Sequence, residues 1–212
     1  MTSKPAYIVR AAVLADAAAI AHVQIESFNA ALCNQRLRPF AAQDPDGFLA
    51  WHNKRNESII SGGEGSMFWL VAHLPDSQDI AAVARYERVD DACAVPLEPV
   101  TDVPFGGPEQ IQFFEELDRM HRQFMRSRPH YCLHILATLP ARQGQGAASA
   151  LLRHVSDIAD AQGRPIYLEA APGSLPVYLK NGFTPAGAVL RIPAGTTGIQ
   201  DSVVTAMIRE TA

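Results

Sequence analysis

The stretch Leu139-Pro140-Ala141-Arg142-Gln143-Gly144-Gln145-Gly146-Ala147-Ala148 constrains this chain more than any other. A strand-like run, Tyr131 to Leu139, ends there, two glycines follow, and small residues open a helix that runs from Ala147 to Ala161 and stops at Gly163. Glycine lets the backbone approach a ligand with no Cβ in the way, and the N–H groups of a first helical turn have no partner inside the helix. With the positive end of the helix dipole behind them, they suit an anion such as a pyrophosphate. The spacing is not that of a dinucleotide-binding GxGxxG loop, because Ser149 takes the place of the third glycine. No Gly-Lys-Ser/Thr follows to make a nucleotide-hydrolysing loop either.

The elements around this turn alternate. Downstream come a strand at Ile166 to Ala170, a helix from Ser174 to Asn181 ended by Gly182, and strands near Val189 and from Val203 to Arg209. Upstream, Tyr7 to Ala12 reads as a strand, and Asp16 as the N-cap of a helix carrying Ile20, Val23 and Phe28 inward. A second helix starts near Pro45, passes Trp51 and breaks at Gly62, Gly63 and Gly65. Met67 to His73 and Ile80 to Arg88 pair as a hairpin across Pro75-Asp76-Ser77. Asp90 to Pro108, rich in proline and glycine, reads as the one long loop. In the helix Glu109 to Arg126, the residues Phe113, Leu117, Met120 and Phe124 share a face that needs a partner, either the core or, as a lid or wall, the substrate. The pattern predicts an α/β protein with a mixed sheet.

A chain of 212 residues, 48% hydrophobic and 19% charged, fits one domain spanning 1–212. A formal net charge of −4 argues against nucleic acid or an anionic membrane as partner, and no run is long enough to span a bilayer. Met1 to Arg10 lacks an apolar signal core. Cys33, Cys93 and Cys132 form neither a CxxC pair nor a metal-ligand spacing, so no disulfide framework and no metal are expected, and the cytoplasm is the expected compartment. A serine hydrolase is disfavoured, since Ser149 and Ser174 lie in no nucleophile elbow.

Gln143-Gly144-Gln145-Gly146-Ala147-Ala148 resembles Gln/Arg-x-x-Gly-x-Gly/Ala, the acetyl-CoA signature of the GNAT superfamily of N-acetyltransferases. The flanks agree: a strand ending Leu133-His134-Ile135-Leu136-Ala137-Thr138, then Leu151-Leu152 one helical turn on. A second motif, Tyr178-Leu179-Lys180-Asn181-Gly182-Phe183, is similar to the Tyr-x-x-x-Gly-Phe unit of that superfamily. The likeness is specific over Tyr131 to Ala186, in wording closest to fungal members; the insert from about 90 to 128 carries no family motif. It implies a three-layer fold, a twisted mixed central sheet with helices on both faces. It also implies acetyl-CoA as cosubstrate, with the pyrophosphate on backbone N–H groups of Arg142, Gln143, Gly144, Gln145, Gly146, Ala147 and Ala148. The pantetheine arm would lie along Leu136, Ala137 and Thr138 as an added strand.

Acetylation needs a neutral amine, and deprotonating an alkylamine at neutral pH costs about 4 kcal/mol, so a base is useful. His134 occupies a position similar to that of a histidine in the serotonin N-acetyltransferases; the second histidine of that group corresponds here to Cys132, so the paired relay is not reproduced. Two readings stand for His134: general base, directly or through water, or a hydrogen-bonded strand histidine. Glu169 is the alternative base, and Glu26 and Glu87 are further carboxylates whose faces the sequence does not give. Tyr178 sits where the resemblance places a tyrosine that protonates the departing thiolate; the other reading is a packing ring. The expected reaction is transfer of acetyl from acetyl-CoA to a primary amine, most readily of a small molecule, by direct attack in a ternary complex. The alternatives are a peptide or protein N-acetyltransferase and a non-catalytic acyl-CoA sensor. Phe28 to Trp51 and Asp90 to Arg128 are the expected acceptor walls, and the protein is expected as a monomer or homodimer.

Overall fold

The computed structural model describes residues 5–28, 43–62, 66–90, 108–192 and 202–211. Cys33, Cys93, Gly63, Gly65 and most of the Asp90 to Pro108 loop lie outside them. Strand β1 (Ile8–Ala11) leads through a short 3-10 turn into α1 (Ala17–Phe28), followed by α2 (Pro45–Ile60), β2 (Met67–His73) and β3 (Ile80–Val89). Then come α3 (Pro108–Met125), β4 (His130–Thr138), α4 (Ala147–Ala161), β5 (Ile166–Ala170), α5 (Leu175–Lys180), β6 (Thr184–Ile192) and β7 (Ser202–Arg209). Asp16 does not cap α1 directly. Arg10 holds its carboxylate at 2.6 and 3.0 Å, and it accepts the Val13 N–H at 2.8 Å, so it closes the preceding 3-10 turn.

The strands form one sheet in the order β1-β2-β3-β4-β5-β7-β6. Every neighbouring pair is antiparallel except β4 and β5, which run parallel. Alternation along β2 explains why two layers of helices are needed: Leu70 and Ala72 are buried on one face, Trp69 and Val71 on the other. On the first face α4 presents Leu151, Leu152, Val155 and Ala159, all fully buried, against Ala82, Ala84, Leu133 and Leu168. Burial of each of these leucines stabilises by about 1.5–3 kcal/mol. The opposite face is shared. Ile20 and Val23 of α1 and Ile59 of α2 cover the β2–β3 half, and Met120 and Met125 of α3 cover Cys132, Tyr167, Val204 and Ala206. The predicted apolar stripe of α3 does pack here: Phe113 and Met120 are buried, and Leu117 and Phe124 rest on the same cluster. The three-layer α/β arrangement is therefore present.

Candidate active site

Two features of β4 make a site. The parallel ladder to β5 pairs only Tyr131, Cys132 and Leu133 with Ile166, Tyr167 and Leu168, while β4 runs on to Thr138, so the two strands part beyond Leu133. A strand edge is thereby left open. The Leu139 N–H donates to the Ala81 carbonyl on the β3 side, and alternation then turns the backbone of Leu136 and Thr138 toward the open edge and that of Ala137 back to β3. The Thr138 carbonyl meanwhile accepts the Gln143 side-chain amide at 3.3 Å.

At the end of that edge lies the glycine turn. Gly144 and Gly146 have φ of 72° and 103°, the left-handed region, and Gly146 precedes α4 with no side chain capping the helix. A Cβ at Gly144 would meet nothing within 4 Å, so the turn faces open space. Arg142 and Gln143 spend their N–H groups within the turn, on the carbonyls of Leu139 and Pro140. From Gly144 to Ser149 no backbone N–H is engaged by another described backbone carbonyl, and Ala150 is the first to bond back, to Gly146. This row of donors at the head of a 15-residue helix fits the pyrophosphate of a coenzyme whose arm lies along the open edge.

On the face away from α4 the same strand carries titratable groups. The β3–β4 register slips between Arg85–Ile135 and Tyr86–Leu133, which makes His134 the extra residue of a β-bulge and brings Ile135 onto the face that His134 shares with Cys132. Its Nε2 lies 2.9 Å from Glu87 Oε2, and its side chain keeps 22% of its accessibility. Burial lowers the His134 pKa; Glu87 pulls it back up, while Arg85 and Arg55 push it down. The Glu87 carboxyl is buried, which works against its charge, but the His134 hydrogen bond, the neighbouring histidines and Ser66 prevail and hold it below the usual carboxylate range. Glu169, one step past the last residue of β5 that pairs with β4 and on the Tyr167 face, has its pKa raised by burial to about 7, and the charge of Asp118 adds to the rise. Glu26 is exposed on α1.

Two histidines that the sequence did not single out stand beside these groups. His130 Nδ1 lies 2.6 Å from the Arg128 carbonyl and must donate to it, so its Nε2 is the acceptor for His121 Nε2–H at 2.6 Å. The His121 ring stacks on Tyr167 at 4.6 Å, and burial depresses its pKa to about 3. The 130, 132, 134 spacing on β4 was the available signal for His130. Nothing in the sequence announces that α3 brings His121 onto it. On α2, Phe48 and Trp51 flank His52, whose pKa burial lowers to about 4.

Tyr178 is buried at the head of the α4-side core, edge-on to Phe183 at 5.7 Å. Burial pushes its pKa well up, the Ser174 hydroxyl works against that, and the charge of Glu169 adds to it. The phenol thus keeps its proton at neutral pH. Asn181 links the end of α5 to the first turn of α4 by donating to the Ser149 hydroxyl at 3.1 Å. Among the described residues no three His, Cys, Asp or Glu side chains converge as a metal site, and no helix is long and apolar enough to cross a membrane.

The sequence matches the model of the acetyltransferase (GNAT) family over residues 19–183, most of its length. The chain belongs to the GNAT acetyltransferases, acetyl-CoA-dependent N-acetyltransferases. Solved structures with the same fold include a Corynebacterium glutamicum protein described as histone acetyltransferase HPA2 and related acetyltransferase, 24% identical over 97% of both chains with a TM-score of 0.60. An arylalkylamine N-acetyltransferase 7 of the mosquito Aedes aegypti superposes with a TM-score of 0.68 at 14% identity, over 96% of this chain and 87% of the mosquito one. A ribosomal-protein alanine N-acetyltransferase from Escherichia coli gives 0.58 at 16% identity, over 98% and 95%. At these identities the likeness is one of fold. No curated protein matches the sequence significantly.

Proposed function

We propose that the whole chain acts as one catalytic domain that acetylates a primary amine of a small molecule by direct attack in a ternary complex. His134 serves as base and Tyr178 as acid. The observation that carries this reading is the position of the His134 imidazole: it stands partly open at the point where β4 and β5 part, within hydrogen-bond reach of Glu87, and burial lowers its pKa. Acetyl-CoA supplies the thioester and a thiolate leaving group. His134 takes one proton from the ammonium of the acceptor, which frees the nitrogen lone pair for attack on the thioester carbonyl. Donors on the open edge of β4 polarise that carbonyl. As the C–S bond breaks, Tyr178 gives its proton to the sulfur, and the second proton lost by the nitrogen restores the phenol. The products are the amide and free thiol, and solvent clears the proton held on His134.

The test is calorimetric titration with acetyl-CoA and CoA, followed by thiol release over arylalkylamines, polyamines and peptides. Micromolar binding with release driven by small amines is expected. Release driven by peptides alone would replace the small-molecule reading with a protein acceptor, binding without release would make the chain an acyl-CoA sensor, and no binding would end the coenzyme assignment.

A further inference from the structure

We propose that Glu87 is a positioning residue for this transfer: its carboxylate fixes His134 as the Nε2–H tautomer, so that Nδ1 presents the lone pair to the acceptor amine. The inference rests on His134 as base. Glu87 Oε2 lies 2.9 Å from His134 Nε2, and the other carboxylate oxygen lies 3.4 Å from the Ser66 hydroxyl, at the start of β2. An ionised carboxylate has no proton to give, so the shared proton sits on the ring nitrogen facing it. A neutral imidazole carries a single N–H, which leaves Nδ1 as its only base. Strand alternation explains why the pair exists. Glu87 is opposite Cys132 in the ladder, and His134, two residues further along that strand, shares the face of Cys132, so the carboxylate meets the ring on the diagonal.

The surroundings show what the carboxylate offsets. His134 faces the Arg85 guanidinium from β3, Arg55 from α2 and His121 from α3, with Cys132 on its own strand. Two of these are fixed cations, and Glu87 is the anion in direct contact with the ring. Without its charge the ring would be a weaker base, free to turn and to exchange tautomers.

The test is an NMR measurement of the imidazole nitrogens of His134 in the full chain with CoA bound, assigned by comparison with His134→Gln. The wild type should show a protonated Nε2 and a bare Nδ1. A protonated Nδ1 would overturn the proposal, and this readout needs no Glu87 variant to fold. In Glu87→Gln, which keeps the shape and an acceptor oxygen but loses the charge, the His134 pKa should fall and the two tautomers mix. An unshifted titration would also overturn it. With the acceptor found by the thiol-release screen, Glu87→Gln should lower kcat about 10-fold or more, leave the KM for acetyl-CoA in place, and move the acid limb of the pH profile to lower pH. If His134→Gln removes that limb while Glu87→Gln moves neither limb nor kcat, the role of Glu87 fails alone. If His134→Gln leaves the limb and kcat unchanged, the base assignment fails and takes the positioning role with it.

Discussion

On the α4 side of the sheet, Leu151, Leu152, Val155 and Phe183 close an apolar core, and the candidate site beside it is, apart from the Tyr178 phenol, made of backbone: the open edge of β4 and the N–H groups from Gly144 to Ser149. On the opposite side the site is made of side chains: His134 and Glu87, Glu169, and His121 hydrogen-bonded to His130 beneath α3. Backbone donors are fixed by chain geometry and tolerate most side-chain changes. Side-chain groups depend on which elements are brought together, and burial changes their charge. The first side should therefore fail through backbone conformation and the second through pH.

The largest effect is expected at the turn. Gly146→Glu forces an L-residue into φ of 103° and sets a carboxylate at the mouth of the proposed anion site. Calorimetry should show acetyl-CoA affinity falling by about 100-fold or more, a loss of about 3 kcal/mol. Equal affinity would remove the turn from the binding site. Tyr178→Phe should follow, with kcat lower by roughly 10- to 100-fold and CoA binding held. An unchanged rate when chemistry limits turnover leaves the ring a packing role only.

On the other side, kcat/KM should rise with pH through the pKa of the base, because only the deprotonated group accepts a proton. His134 places that limb below the ordinary histidine value of 6.5, whereas Glu169 would place it at about 7. A limb near 7 that vanishes in Glu169→Gln would transfer the role to the carboxylate.

The smallest effect is on stability. His121, His130 and His52 have folded pKa values below 6.5, so the unfolded chain binds more protons as the pH falls. Their contribution is complete above 6.5 and is lost as pH drops toward the depressed values of about 3 for His121 and about 4 for His52. Glu169, shifted upward, has the opposite sign, its contribution being lost as pH rises through about 7. Thermal melts from about pH 7 to about pH 5 should lower Tm by several degrees, and less in His121→Phe, where one of the buried ionisable rings is gone. A melt insensitive to pH would mean that the histidine pair opens to water before it charges.

Much of the first side was legible. Gly144, Gly146 and the strand and helix around them could be read because a glycine turn and a helix start are local features. The same holds for α4, whose predicted bounds, Ala147 and Ala161, are those observed. Asp16 shows the limit of local reading: its residue type suits an N-cap, but Arg10, six residues back, claims the carboxylate. Glu87 and His134 are 47 residues apart, and it is the β3–β4 register that joins them. Local rules also foresaw the core face of α3 without foreseeing that His121, beside Met120, would meet His130.

What the sequence by itself determined is the order of elements, the glycine turn ahead of α4, and the family they imply, since each depends on conformational preferences within a few residues. The tertiary structure alone decided that β4 parts from β5 at Leu133, that Glu87 reaches His134, and that burial lifts Glu169 to about 7. Strand register and desolvation belong to the packed sheet, and no stretch of chain carries them alone.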